Sequence, residues 1–335
     1  MALIENLKNA VAVKVTETLV SVQPYVKMPS YAGDKNSDAS KYPTWSTGEN
    51  GAVNALLDSV QSQNNRIEPI FNKYPELVPA SKVVYPGTTI TLTEVPNRAG
   101  DPAIRYHFAA ELDQFMAGNP EPLAKRNPTA LIFGLWDSRA TRVKVPRVIE
   151  ATVTVRGAVN QPTAASLSTP FTDDDRANIA EKLSKEGLTT SEVGVDQVPV
   201  FSERGALDVT RATIERTVTL SVSALDQFRS NPKLYDYLLG LALIAALSPI
   251  KLNLRSGTVL NRAARKVELY NDLQPAVAVD VDFEEVLAFA RDAAKRFGVG
   301  AGETLKVDVE KIIENAKQKN VKTKETKRKK AAVPA

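Results

Sequence analysis

The longest uninterrupted apolar run in this sequence covers the ten residues 238–247 and lies inside a predicted helix at 232–247. A helix that is apolar on every side has to be covered by other elements. Spanning a membrane would take about 20 such residues. The run therefore predicts a helix buried in a globular core, and we expect no membrane partner. A chain of 335 residues, 43% of them hydrophobic, is long enough to build such a core.

Strand and helix patterns alternate irregularly along the chain. Strands are predicted, from period-two alternation or from short apolar runs, at 11–20, 88–95, 130–136, 147–156, 213–222 and 266–270. Helices are predicted from three- and four-residue spacing at 51–66, 104–116, 173–185, 232–247, 283–297 and 306–317. Because the two kinds of element do not follow a βα repeat, the fold class is α+β. We expect an antiparallel or mixed sheet covered by helices on one face.

Three stretches differ from this pattern. Residues 24–50 and 161–211 are rich in turn-forming and small polar residues, and we predict that both are insertions in a single domain at 1–316. Residues 317–335 are predicted to be a disordered basic tail. From Lys317 to Lys330, eight basic residues face one acid, so this part carries +7 while the whole chain carries +4. The body outside it is therefore slightly acidic, and the tail either keeps the protein soluble or adds unspecific nucleic-acid affinity.

The residues needed for most catalytic sites are missing from the sequence. It contains no cysteine and a single histidine, His107, inside a predicted helix. Zinc sites and Ser-His or Cys-His nucleophiles therefore lack their parts. The acidic run at 173–175 follows Thr172 and is explained more simply by helix capping than by a cation site. We expect no enzymatic activity, no cofactor and no metal. The absence of cysteine fits a cytoplasmic protein.

The first unusual segment is LDSVQSQNNRIE, residues 57–68, in which amides and hydroxyls replace the apolar pattern. Such side chains hydrogen-bond in both directions and suit phosphate, ribose hydroxyls or base edges. The candidate RNA-binding residues here are Ser59, Gln61, Gln63, Asn65 and Arg66. A polar exposed face, or amides that satisfy the buried backbone of a neighbouring loop, explains the segment equally well.

The second is TALIFGLWDSR, residues 129–139, followed by further basic residues. An aromatic side chain can stack on an unpaired base, and clustered cations suit a phosphate backbone. The candidate residues are Trp136, Ser138, Arg139, Arg142, Lys144 and Arg147. The alternative places Trp136 in the core, with a solvated charged loop after it.

These two segments resemble a known family. A third segment, LNLRSG at residues 252–257, carries a weaker resemblance and adds Arg255 to the candidate RNA-binding residues. The family is the major backbone subunit of the type I-G (formerly type I-U) CRISPR effector complex, a member of the RAMP superfamily. The resemblance extends over about residues 21–260. The family pattern has a small residue where Asn64 stands, and the basic tail lies outside the resemblance.

The resemblance implies a modified RRM-like (ferredoxin-like) palm with an antiparallel sheet, plus finger and thumb-like insertions. Several copies would stack head to tail along the guide RNA (crRNA) of a Cascade complex, and a projecting hairpin would displace bases at intervals. Target DNA would be read by base pairing with the guide. The implied protein partners are further copies of the chain, a large subunit, a repeat-processing and end-capping subunit, and a recruited helicase–nuclease.

Two alternatives belong to other classes. One is a metal-dependent RNase like the backbone subunits of type III complexes, which cut RNA with a loop aspartate; Asp34 and Asp38 lie in a suitable loop but receive no catalytic role here. Regularly spaced cleavage of complementary RNA would identify it. The other is a scaffold that self-associates without nucleic acid, which would give oligomers free of RNA.

Overall fold

A computed structural model describes residues 2–29, 45–137, 141–167, 171–190, 192–193 and 198–313. The predicted basic tail at 317–335, the loop with Asp34 and Asp38, and the candidates Ser138 and Arg139 lie outside these ranges. Within the described ranges, no helix combines the length and the apolar character needed to cross a bilayer.

The described residues form the following elements. The helices are α1 Ala2–Asn9, α2 Val60–Ile67, α3 Ala109–Met116, α4 Glu121–Arg126, α5 Thr129–Phe133, α6 Asp173–Lys185, α7 Pro232–Leu247 and α8 Phe283–Phe297. The strands are β1 Ala12–Ser21, β2 Tyr25–Lys27, β3 Trp45–Thr47, β4 Val53–Asp58, β5 Lys82–Tyr85, β6 Thr88–Thr91, β7 Leu135–Trp136, β8 Lys144–Val145, β9 Ile149–Leu167, β10 Val198–Asp208, β11 Thr213–Ser221, β12 Asn253–Arg255, β13 Thr258–Tyr270, β14 Val277–Val279 and β15 Thr304–Lys306. Short 3-10 turns lie at Glu49–Gly51, Glu68–Lys73, Leu92–Glu94, Arg98–Gly100, Arg105–Phe108 and Ser223–Phe228.

The main sheet contains ten of these strands, and all of its pairings are antiparallel. Its central path runs β12-β13-β1-β11-β9-β10-β2, with β14 beside β13 and β4 beside β9. Strand β1 shows why the sheet forms: Val13, Val15 and Leu19, together with Glu17, lie on one buried face, while the alternate residues between them are partly or fully exposed. The predicted α+β class is confirmed.

Helix α7 forms the centre of the core, as its apolar run predicts. Fourteen of its sixteen residues are buried, and it packs on the sheet and on α8. The approach to α8 requires glycine at position 240, because a Cβ there would lie 2.9 Å from the Ala290 Cα.

A smaller sheet, β15-β5-β6, lies apart from the main one. Its strand β15 is held by His107, whose Nε2 lies 3.0 Å from the Lys306 carbonyl oxygen.

Two predicted elements are wrong. The helix predicted at 51–66 is strand β4 followed by helix α2, with Ser59 as the N-cap: its hydroxyl accepts a hydrogen bond from the Ser62 amide. Val53, Ala55 and Leu57 alternate as the buried residues of β4. The strand predicted at 130–136 is helix α5, which is buried on all sides, followed by the two residues of β7. An apolar run buried on every side has no period that separates strand from helix.

The predicted insertion at 161–211 is a two-stranded ribbon. Strand β9 pairs with β11 up to Arg156, turns at Gly157 with a positive φ of 75°, and continues paired with β10. The predicted helix at 173–185 is confirmed as α6, which connects the distal ends of the ribbon. Of the other predicted insertion, at 24–50, the described residues include the short strands β2 and β3.

Candidate nucleic-acid interface

The two segments that the sequence singles out meet at one cavity. This cavity has a volume of about 360 Å³ and lies between α2 and the β7–β8 hairpin. Its lining includes Gln61 from the first segment and Trp136, Lys144 and Arg147 from the second. Arg147 Nη2 donates a hydrogen bond of 2.8 Å to Gln61 Oε1, so the two segments are in direct contact. We call this cavity the Trp136 cavity.

Trp136 presents its ring to solvent. Its side chain is 61% exposed, so the alternative that places it in the core is wrong. The backbone beneath the ring is held on both sides by Asn97: the Trp136 amide donates to Asn97 Oδ1 at 3.1 Å, and Asn97 Nδ2 donates to the Trp136 carbonyl at 2.8 Å. An aromatic ring held on a fixed backbone can stack a base at a low entropic cost.

Gly134 shapes the wall of the cavity where α5 passes into β7. Its φ is +77°, a conformation that strains any other L-residue. A Cβ at this position would also lie 2.8 Å from the Val145 carbonyl oxygen and 3.1 Å from the Arg147 Cγ. Because position 134 is glycine, the turn can lie close against strand β8 and against Arg147.

A buried ion pair lies beneath the cavity. Arg98 is 3% exposed and contacts the carboxylate of Glu68, itself 1% exposed, at 2.5 Å. Arg98 Nη1 also donates to the Gly134 carbonyl at 3.0 Å, which ties the ion pair to the cavity wall. Burial raises the pKa of Glu68, although the Arg98 guanidinium acts in the opposite direction. With Lys144 and Arg147 at the rim, the cavity carries a net positive charge that suits phosphate.

Neither Arg98 nor Asn97 was a candidate from the sequence. Both lie in a short turn, PNRAG at 96–100, whose composition indicates only a loop. Their importance depends on contacts with residues 30 to 39 positions away along the chain, and no local pattern reports such contacts.

Gln63 has to be removed from the candidate interface because it is fully buried. Its Nε2 donates to Asp58 Oδ2 at 2.6 Å, and its Oε1 accepts from Arg216 Nε at 2.7 Å. Arg216, also fully buried, donates in turn to Glu17 Oε2 at 2.9 Å. The amide thus satisfies buried polar groups inside the protein.

Arg66 and Arg255 point their guanidinium groups inwards, towards the protein. Arg66 Nε pairs with Asp58 at 3.0 Å, and its Nη2 donates to the Leu254 carbonyl at 2.6 Å. Arg255 donates to the Lys27 carbonyl at 2.9 Å and lies 3.7 Å from the same Asp58 carboxylate. Both therefore join β4, α2 and β12, and we assign them a positioning function instead of RNA contact.

The remaining described candidates have different surroundings. Ser59 caps α2 and is half-buried. Asn65 is exposed and accepts a hydrogen bond of 3.3 Å from Gln61 Nε2, one helical turn from the cavity. Arg142 is exposed in the β7–β8 connection, with a positive φ of 62°. The structure thus groups Gln61, Trp136, Lys144 and Arg147 at one site and places Asn65 beside them.

Comparison with known families gives the following match. Residues 20–159 match the family of CRISPR-associated protein GSU0053. This range includes all four of the predicted residues grouped at the Trp136 cavity. The match supports a CRISPR-associated protein with a role in CRISPR defence. No curated protein matches the chain.

Proposed function

We propose that this chain is a non-catalytic backbone subunit that binds the guide RNA of a type I-G Cascade complex and stacks in several copies along it. The observation that carries the proposal is the Trp136 cavity, which joins an exposed aromatic ring, two cations and an amide within a matched CRISPR-associated region. The subunit would act in the cytoplasm together with the other Cascade subunits and the recruited helicase–nuclease.

The chemistry of the cavity suits one unpaired nucleotide. A base would stack on Trp136, the flanking phosphates would pair with Lys144 and Arg147, and Gln61 would hydrogen-bond a ribose hydroxyl. A volume of about 360 Å³ is at the small end of the range for sites that hold small molecules. None of these contacts reads a particular base, which fits a protein that leaves sequence reading to the guide.

The sheet is a less suitable surface for bases. RRM domains stack bases on aromatic side chains of the open sheet face. Here the corresponding outward positions of the three central strands are occupied by Thr16, Thr217 and Thr152, which lie side by side in register. We therefore assign base stacking to the Trp136 cavity at the side of the sheet. That the palm is RRM-like is likewise proposed.

Purified protein with its bound RNA tests the proposal. The double variant Lys144→Ala/Arg147→Ala should lose retained RNA, measured from the absorbance ratio of the oligomer at increasing salt. The matched control is Arg211→Ala/Lys233→Ala, which removes the same charge from exposed positions elsewhere. Equal RNA retention in both variants would refute the assignment of the site.

A further inference from the structure

Helix α6 lies at the tip of the β9–β10 ribbon, within residues 171–193, and packs against no hydrophobic core of its own among the described residues. None of the thirteen residues of α6 is buried. Its Ile179 and Leu183 are half-buried and lie one turn apart, and the nearby Leu188 and Val193 are about 45% exposed. An isolated helix of this length is only marginally stable in water, so burial against another surface would stabilise it.

The ribbon holds this tip away from its own core. From Gln161 to Leu167, strand β9 pairs with β10 alone among the described strands. At about 3.3 Å per residue, this stretch carries the tip roughly 20 Å beyond the body of the sheet. Within the described residues, the main sheet therefore leaves α6 uncovered, and a second molecule can supply the covering surface.

The charge of the tip argues against nucleic acid as that molecule. Six carboxylates (Asp173, Asp174, Asp175, Glu181, Glu186, Glu192) face three basic side chains (Arg176, Lys182, Lys185), a net charge of −3. Phosphate groups would be repelled by this excess. A protein surface with apolar and basic groups would be attracted.

The chain itself carries such a surface at the opposite edge of the sheet. A cavity of about 490 Å³ lies between β13, β14 and the start of α8. Val267, Val279 and Phe283 give it an apolar wall. Its charged lining consists of Arg265, Lys266 and one acid, Asp280, and Lys266 is paired with Glu268 at 2.7 Å. We call it the β14 cavity.

An excess of positive charge lies behind this cavity. Glu17, 1% exposed, contacts Arg216 at 2.9 Å, Arg262 at 2.7 Å and Arg265 at 3.9 Å. Within the described residues, the salt bridges of these three arginines all go to this one carboxylate, which leaves two positive charges uncompensated. Arg216 is fully buried, whereas the side chains of Arg262 and Arg265 are 25% and 31% exposed, so acidic groups from outside can reach these two.

We propose that the acidic ribbon tip of one copy docks into the β14 cavity of a second copy of this chain. The strand order β13-β1-β11-β9 places the cavity and the ribbon on opposite sides of the sheet. Because the two surfaces differ, the contact is heterologous and generates a ring or an open row of copies instead of a two-fold pair. The inference rests on the repeated-subunit part of the proposed function and names the surfaces that join the copies.

The absence of cysteine allows a direct test by site-specific cross-linking of the full chain. One preparation carries Ser184→Cys in α6, and the other carries Ala278→Cys in the β14 cavity; both positions are exposed. The two are mixed, treated with a short thiol cross-linker and scored for the mixed dimer. The control replaces the second preparation with Ala110→Cys, an exposed alanine of α3 on another part of the surface.

Docking predicts roughly tenfold more mixed dimer for the 184–278 pair than for the 184–110 pair, because it raises the effective concentration of the second thiol. Equal yields in the two pairs would overturn the inference. The RNA content of the same samples is measured separately. Oligomers that retain RNA without the specific cross-link contradict the docking and leave the proposed function standing. A specific cross-link without RNA supports the docking and contradicts the guide-RNA role.

Discussion

Replacing Trp136 by alanine separates base stacking from folding. Stacking of one base on an aromatic side chain contributes about 1–3 kcal/mol, so the Kd for single-stranded RNA should rise by about 5- to 150-fold per bound subunit. The ring is 61% exposed. The apolar area that it buries against the protein is therefore about 100 Å², worth about 2.5 kcal/mol of unfolding free energy. The fold should survive while RNA affinity falls.

The assay is fluorescence polarisation of labelled single-stranded RNA at one fixed salt concentration, with a thermal melt of each variant. Trp136→Phe should keep most of the affinity because it keeps an aromatic face. Met116→Ala is the control for lost packing, since Met116 is 60% exposed and lies outside the lining of the cavity. If Trp136→Ala is folded and binds RNA as tightly as Met116→Ala does, the stacking assignment is wrong.

Three further predictions concern the buried Glu17 cluster and the charges and backbone of the Trp136 cavity. Glu17→Gln leaves the three arginine side chains around it without a carboxylate and should lower the unfolding free energy by about 3–5 kcal/mol in urea titrations, and a loss below about 1 kcal/mol would contradict the network. Lys144→Ala/Arg147→Ala should flatten the slope of log K against log salt by about 1.4, since each phosphate contact on a single strand accounts for about 0.7; an unchanged slope would argue that neither side chain meets phosphate. Gly134→Ala should lower the melting temperature more than Gly118→Ala does, because both glycines have positive φ but only Gly134 has neighbours within 4 Å of the added Cβ.

The fold was predictable where the apolar pattern of a helix was long and regular. Helix α7 begins after the Asn231 cap with Pro232 in its first turn, and α8 begins after Asp282 and ends at the left-handed Gly298. The apolar run and the spacing of apolar residues predicted both helices with their observed bounds, and the structure shows these caps at their ends. The helix predicted at 51–66 was wrong because the apolar residues there fit one face of a helix as well as they fit a strand followed by a helix. These residues are Val53, Leu56, Leu57 and Val60.

The site was predictable only in part, for a physical reason. Residue type indicated Trp136, Lys144 and Arg147, and the structure exposes these three together. Gln63 and Arg66 have the same residue types as an RNA-binding surface, yet they pair with Asp58, Arg216 and the backbone of β12. Whether an amide or a guanidinium faces solvent depends on partners up to 188 positions away, which composition and spacing do not encode.

The most direct test of the central claim is to purify the full chain with whatever RNA it holds and to sequence that RNA. A guide-RNA-binding backbone subunit should retain RNAs of uniform length whose ends derive from one repeat, and the length of the oligomers should follow the length of the RNA. Oligomers without RNA, or with a random sample of cellular RNA, would contradict the proposed function.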